Sequence, residues 1–341
     1  MTMSDNRHID KPAYAPTMTL EMARRRGQML VAIRQFFAQR QVLEVQTPLL
    51  SQAANTDTFL QSVAARVTYQ DKPRPFYLHT SPEFAMKRLL ASWQVAIYQI
   101  CSVFRDNEIG SRHNIEFTML EWYQPHYSLN DLAEELSKLL EALYGYPVIM
   151  NHYRYIDAFM DHVGIHPLSA SLEALKAVAE DKGLANIDIA PPEPLAVDSE
   201  EMRQGWLDLL FSHLVEPKLG HDLPTLIIDY PPATAALAKT CLDKEGNLIA
   251  KRFELYINGI EIANAYDELA DGQALRERFE ADNRQRVAHG LAQMPIDEYL
   301  LAACDDLPPC SGIALGVDRL LMVLTGADKL SEVIALPSGL A

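Results

Sequence analysis

The chain has 341 residues, 48% of them hydrophobic, with 30 Lys plus Arg against 46 Asp plus Glu and a formal net charge of −16. That length can bury one large core, or one domain carrying an insertion, and the acidic balance argues against a broad surface for nucleic-acid phosphates. The four cysteines, Cys101, Cys241, Cys304 and Cys310, show no C-x-x-C spacing, and neither a signal-peptide core nor an apolar run of membrane-spanning length is evident, so reduced thiols in a cytoplasmic protein are expected.

Residues 1–18, with Pro12 and Pro16, read as a flexible arm ahead of one domain over 19–341. Met29, Ile33, Phe36 and Phe37 recur at helical spacing and lead into Val42-Leu43-Glu44-Val45-Gln46-Thr47-Pro48, a strand stopped by proline. The run from Val95 to Phe104 reads as a strand that ends at Arg105. A charged turn follows, Gly110-Ser111-Arg112-His113-Asn114, and then a return strand, Glu116-Phe117-Thr118-Met119-Leu120-Glu121-Trp122-Tyr123. Residues 151–223 read as an insertion with helices over 171–182 and 200–215, joined by the stiff acidic connector Pro191-Pro192-Glu193-Pro194. The chain then returns to β at Thr225-Leu226-Ile227-Ile228-Asp229-Tyr230-Pro231. The expected fold class is α+β, a mainly antiparallel sheet flanked by helices.

The last third is the most informative. Asn258-Gly259 between two β-prone runs is a strong hairpin signal. A two-residue loop sets Ile257 against Ile260, Tyr256 against Glu261 and Glu254 against Ala263. Glu254 and Glu261 then lie diagonally on one face, close enough to share a divalent cation; a solvated polar sheet face is the alternative. Gly312-Ile313-Ala314-Leu315-Gly316-Val317-Asp318-Arg319 runs as a strand into an apolar helix. An arginine in a first helical turn faces the positive end of the helix dipole, which favours an anionic ligand there. Gly316 reads equally as a packing glycine or as space beneath a ligand.

These three segments, in this order, resemble motifs 1, 2 and 3 of the class II aminoacyl-tRNA synthetases. Within that class the chain is similar to the lysyl-tRNA synthetase catalytic domain from about Glu21 to its end. The likeness runs through Thr80-Ser81-Pro82-Glu83, Arg112-His113-Asn114, the 116–123 strand, Asp229-Tyr230-Pro231 and Glu261-Ile262-Ala263-Asn264. Motif 1 begins within the first few dozen residues, so no anticodon-binding OB-fold is expected ahead of it. In this the chain resembles the truncated paralogues that ligate lysine, in its β form, to elongation factor P. The resemblance implies ATP and Mg2+ as cofactors, a lysyl or β-lysyl adenylate as intermediate, and elongation factor P as protein substrate. It also implies a homodimer through motif 1 and no stable tRNA binding. A free-standing lysyl-tRNA synthetase is disfavoured by the missing domain and the acidic charge. A non-catalytic lysine-sensing paralogue is disfavoured by Arg105, Glu254, Glu261 and Arg319, and is kept open by Asn107.

The same resemblance implies the residue roles. Arg105 holds the α-phosphate and the amino-acid carboxylate, and Arg319 the γ-phosphate; the planar fork of arginine suits both. Asp106, Asn107, Asn114, Glu261, Ile262 and Gly316 belong to the ATP site, and Glu254 with Glu261 to the magnesium. Ser81, Pro82 and Glu83 line the amino-acid pocket, Glu268 and Tyr123 take the ε-ammonium, and Asn264 adds a polar contact. Glu268 lies seven residues past Glu261, the wrong parity for one unbroken strand, so a bulge or strand end is expected near Asn264-Ala265. Asn107 stands where the family motif has Arg-x-Glu, and Ala265 where relatives often have glycine. Ala314 matches the ligases, whereas the synthetases carry glycine, and a methyl-sized difference in a pocket discriminates by roughly 1–3 kcal/mol.

Overall fold

The computed structural model describes residues 12, 14–184 and 199–341; the 191–194 connector and most of the expected arm lie outside them. The strands are β1 Leu43–Glu44, β2 Leu50–Ser51, β3 Ala64–Tyr69, β4 Lys72–Leu78, β5 Ile97–Phe104, β6 Glu116–Pro125, β7 Asn151–Arg154, β8 Thr225–Tyr230, β9 Thr240–Leu242, β10 Leu248–Ile257, β11 Ile260–Asp267 and β12 Cys310–Gly316. The helices are α1 Leu20–Gln39, α2 Glu83–Trp93, α3 Leu129–Tyr144, α4 Tyr155–Val163, α5 Leu172–Asp181, α6 Ser199–Leu210, α7 Gly272–Ala288, α8 Glu298–Cys304 and α9 Val317–Thr325.

One nine-stranded sheet runs β1-β5-β6-β12-β11-β10-β8-β7, with β9 added along β10. It is antiparallel except at its ends, where β1 pairs β5 and β7 pairs β8 in parallel. The expected α+β fold is therefore the observed one. Both helices expected in the insertion form, as α5 and as α6 running into a π-helical turn over Phe211–Val215; α4 and β7 were not anticipated. The near end of the expected arm is tied down, since Thr17 N and Oγ1 both donate at 3.0 Å, to Ala335 O and Ile334 O.

Alternation along each strand sorts the residues between two sheet faces. On one face Leu120 and Trp122 of β6, Ala263 and Ala265 of β11, and Ile313 and Leu315 of β12 join α1, α3 and α9 in the main core. Thr19 starts α1 by accepting from Met22 N at 3.1 Å, and the helix buries the four apolar residues whose spacing announced it. The other face is covered in two places. At one end the insertion core, with Phe159, Leu207 and Phe211, packs on Tyr230, Ala250 and Tyr256. At the other, Met86 and Leu90 of α2, Phe279 of α7 and Leu301 of α8 surround Ile97 and Tyr123. Bare sheet lies between these two cores.

The β10–β11 hairpin turns on Asn258 and Gly259, with φ of 53° and 67°, the left-handed pair that a type I′ turn requires. Ile257 pairs Ile260 and Tyr256 pairs Glu261 as expected, but the next pairs are Leu255 with Ala263 and Glu254 with Asn264. The expected Glu254–Ala263 pairing is thus off by one residue, because Ile262 bulges out of the ladder. The bulge falls at Ile262 rather than near Asn264-Ala265.

A mostly buried ion pair, its Arg26 side chain 19% and its Asp318 side chain 3% exposed, ties the motif 1 helix to the motif 3 helix. Arg26 of α1 donates to Asp318 of α9 and, at 2.6 Å, to Thr118 Oγ1; Asp318 also accepts from Thr118 N at 2.7 Å. Burial pushes the Asp318 carboxyl up, opposed by Arg26. Removing one partner of a buried pair strands the other charge. Asp318→Ala should therefore cost about 3 kcal/mol of unfolding free energy in urea titrations, and a loss under about 0.5 kcal/mol, the range of ordinary surface substitutions, would show that the pair carries nothing.

Candidate active site

The bare strip of sheet floors a cavity of about 1110 Å³. Two transverse rows of paired residues cross it: Glu121–Ala314–Asn264, which continues to Glu254 beyond the lining, and Tyr123–Gly312–Tyr266–Arg252. The walls come from α6 of the insertion, from α7, and from the 55–60 and 232–237 loops.

At one end the carboxylates of Glu83, Glu121 and Glu268 converge. Glu121 accepts from Ser81 Oγ at 2.8 Å and from Tyr123 OH at 2.5 Å. Glu268 is 1% exposed, and its Oε2 lies 2.5 Å from Lys87 Nζ, which also donates to Glu83 at 2.7 Å. Burial pushes both the Glu121 and the Glu268 carboxyl up to about 8; Glu83 adds to the rise at each, and Lys87 opposes it. A Cβ at Gly312 would collide with the Tyr123 ring and Glu268 Oε1, so only glycine lets β12 pass beneath this cluster. Ala314 sits on the floor between Glu121 and Asn264.

The opposite end is cationic. Arg105 packs over the Phe117 ring at 5.1 Å and lies 3.8 Å from Glu108. Arg319 donates to Glu261 O at 3.1 Å, to Glu261 Oε2 at 3.3 Å, and at 2.8 Å to His113 Nε2. Arginine only donates, so His113 accepts as a neutral imidazole; burial and then Arg319 lower its pKa. Asn114 is held from both sides, donating to Glu116 O at 2.5 Å and accepting from Ser338 N at 2.9 Å. The nearest atoms that a Cβ at Gly316 would meet belong to Arg319, at ordinary contact distance.

Of the residues singled out from sequence, Ser81, Glu83, Arg105, Asn114, Tyr123, Glu261, Ile262, Asn264, Glu268, Ala314, Gly316 and Arg319 line this one cavity. Pro82 lines instead a smaller adjoining space of about 530 Å³ that shares Ser81 and Glu83. Asp106 and Asn107 are exposed in the turn outside the cavity. Asn107 has φ of 62°, a backbone that asparagine tolerates better than glutamate, and Glu108 takes the place beside Arg105. Glu254 is also absent from the lining, because the insertion core covers its part of β10. Its carboxylate accepts from Arg252, and from Tyr230 OH and Tyr256 OH at 2.6 Å each.

Reading the sequence missed Lys87, Glu121, His113, Arg252 and Gly312. Two carried a signal: Glu83 and Lys87 have the i,i+4 spacing of a helical ion pair, and Glu121 is two residues from Tyr123, hence on the same strand face.

Several cavity-lining polar atoms are buried without a hydrogen-bond partner: Arg105 Nε, Arg252 Nε and Asn264 Oδ1. Such atoms are costly unless a ligand meets them. Among the described residues no group of three His, Cys, Asp or Glu is arranged to hold a metal. Glu261, with its side chain 39% exposed beside Arg319, fits a magnesium shared with ligand phosphates, the usual habit of that ion; the oxygens of Glu254 already have internal donors.

A family model described as class II tRNA synthetases (D, K and N) matches residues 2–339. The chain is 43% identical to a protein of Pectobacterium atrosepticum over 326 residues, 95% of this chain and 97% of the relative. It is 42% identical to one of Vibrio parahaemolyticus over 332 residues, 96% and 99% of the two chains. A Salmonella typhi protein is 43% identical over 325 residues, 94% of this chain and 96% of its own. All three are named elongation factor P–(R)-β-lysine ligase. The chain belongs to this ligase family, within the class II synthetases. The tandem of acidic and cationic ends is thus a feature of a family member built on the synthetase fold.

The acid cluster has a consequence for stability. A carboxyl whose folded pKa of about 8 exceeds its unfolded value of 4.5 binds its proton more tightly in the folded protein. Its contribution is full below about 4.5 and is lost as pH rises through about 8. The melting temperature of the ligand-free protein should fall between pH 6 and 8.5, and Glu121→Gln should flatten that slope. Parallel melting curves for the two proteins would remove Glu121 from the linkage.

Proposed function

We propose that this chain activates lysine, as its (R)-β isomer, with ATP and transfers it to a lysine side chain of elongation factor P. The observation that carries this is the polarity of the cavity: buried carboxylates at one end, Arg105 and Arg319 at the other. A diammonium amino acid fits it in one direction, with its carboxylate toward the arginines and ATP. The names of the relatives support the same substrates.

The amino-acid carboxylate attacks the α-phosphorus, forming the acyl-phosphate bond and expelling pyrophosphate. Little proton transfer is needed; positioning and charge neutralisation do the catalysis. Arg105, braced by Phe117, holds the reacting carboxylate and α-phosphate. Arg319, aimed by Glu261 and neutral His113, takes charge on the leaving pyrophosphate. Asn114, Ile262 and Gly316 border the nucleotide. Magnesium, held by Glu261, supplies charge neutralisation on the phosphates when bound. The acceptor amine then attacks the acyl carbon, an amide forms and AMP leaves. Glu268 and Tyr123 take the side-chain ammonium; Ser81, Glu83, Glu121 and Asn264 address the other amine.

The protein works in the cytoplasm as a homodimer through α1 and the edge strand β1, where Leu43 is 48% exposed. The four cysteines are free, and no described helix is long and apolar enough to cross a membrane. Stable tRNA binding is not expected at a net charge of −16.

The deciding experiment supplies ATP, labelled lysine isomers, elongation factor P and tRNA. Label should enter elongation factor P as an alkali-stable amide, and Arg319→Ala should cut lysine-dependent pyrophosphate exchange by about 100-fold. Label confined to an alkali-labile, nuclease-sensitive product would make the protein a synthetase instead.

Ala314 supports a second expectation. Its methyl narrows the floor between Glu121 and Asn264, so Ala314→Gly should raise α-lysine over β-lysine adenylation by about 10-fold. An unchanged isomer ratio would move the discrimination to the polar groups around the amine.

A further inference from the structure

Lys87 points from the second turn of α2 into the interior, behind the amino-acid pocket and not on its lining, with 1% of its side chain exposed. Its Nζ lies 2.7 Å from Glu83 Oε1 and 2.5 Å from Glu268 Oε2. The titratable groups facing it are Glu83 of its own helix, Glu121 of β6, Glu268 just beyond β11, Cys304 of α8 and Cys310 of β12, with Tyr123 of β6 and Tyr266 of β11 against the acids themselves. The acids that the proposed function assigns to a substrate ammonium thus already hold an ammonium of the protein. Burial leaves Glu121 and Glu268 holding protons up to about pH 8 in the empty pocket; once both are ionised, three carboxylates and one lysine leave two negative charges, the complement of the two ammonium groups of a lysine-type substrate.

We propose that Lys87 is a fixed counter-ion that makes Glu268 and its neighbours easier to ionise, so that an arriving ammonium meets a carboxylate and the pocket selects a doubly cationic amino acid over one with a neutral side chain. This rests on the lysine-ligase reading of the same cavity. Lys87 touches the acids rather than the substrate, which makes it a positioning residue. Three carboxylates crowded in one buried site hold their protons tightly, and without a cation beside them they hold them more tightly still. A protonated Glu268 no longer pairs with an incoming ammonium, and the reason to prefer lysine over its isostere is lost. Burial alone would neutralise Lys87 too, but Glu268 and Glu83 more than offset it and drive its pKa up.

The test compares wild type, Lys87→Met, Lys87→Arg and the double variant Lys87→Met/Glu83→Gln, with circular dichroism and ATP binding as controls for folding. Calorimetry with lysine and norleucine reads selectivity. Lys87→Met should lower the lysine preference by about 10-fold or more. Lys87→Arg should retain most of it, and the double variant should recover part of it, because one acid has been removed along with the cation. A double variant no better than Lys87→Met would mean that Lys87 only fills space, and would overturn the proposal. An infrared titration of the buried carboxyl band needs no substrate: in Lys87→Met the band should persist to a pH about one unit or more higher than in wild type. Coincident titrations would also overturn the counter-ion. A wild-type protein that binds neither lysine isomer would overturn the ligase reading, and the infrared titration alone would then decide the role of Lys87.

Discussion

A strand that alternates faces cannot send Glu261 and Glu268 to the same side unless one residue leaves the ladder between them. Ile262 is that residue. On its turn side β11 keeps the register dictated by Asn258-Gly259, so Glu261 stands across from Tyr256 and beside Arg319. Beyond it the register is shifted by one, which turns Asn264, Tyr266 and Glu268 to the cavity and Ala263 and Ala265 into the main core. A straight β11 would bury Asn264 and Tyr266 among leucines and leave two alanines facing the ligand. Both ends of the site therefore depend on one bulge.

The rest of the site follows from what does not pack on the sheet. A polar sheet face survives inside a protein only where no helix has to cover it. Here the insertion closes over Tyr230 and Tyr256, while α2, α7 and α8 close over Ile97 and Tyr123. The uncovered strip between them is the cavity, and α6 reaches its wall. The same closure removes Glu254 from the lining, since the tyrosines that anchor the insertion are the ones that donate to its carboxylate.

Much of this was legible because it rests on local chemistry. The helix from Leu20 carries its period in Met29, Ile33, Phe36 and Phe37, and the hairpin carries its turn in Asn258-Gly259. Ala314 and Gly316 share a strand face by alternation alone. What was not legible depends on partners distant in sequence. The parity of Glu268 demanded a bulge but could not say that Ile262 forms it. Glu254 read as a ligand beside Glu261, and nothing in the sequence showed that Tyr230, Tyr256 and Arg252 would also donate to its carboxylate. Asn107 looked like a lost carboxylate, whereas its left-handed backbone and the neighbouring Glu108 give the turn a different way to flank Arg105.

The charges then decide orientation before any bond is made. Turned end for end, a lysine-type substrate would set its carboxylate among Glu83, Glu121 and Glu268 and an ammonium against Arg105 and Arg319, repulsive at both ends. Only the productive direction pairs every charge. Arg319 faces the same logic at the start of α9: the helix dipole disfavours it there, and the carbonyl and carboxylate of Glu261 with the neutral imidazole of His113 hold its guanidinium in place. An acceptor amine meets an acyl group already turned toward the arginines, so one electrostatic gradient along the cavity orders both half-reactions.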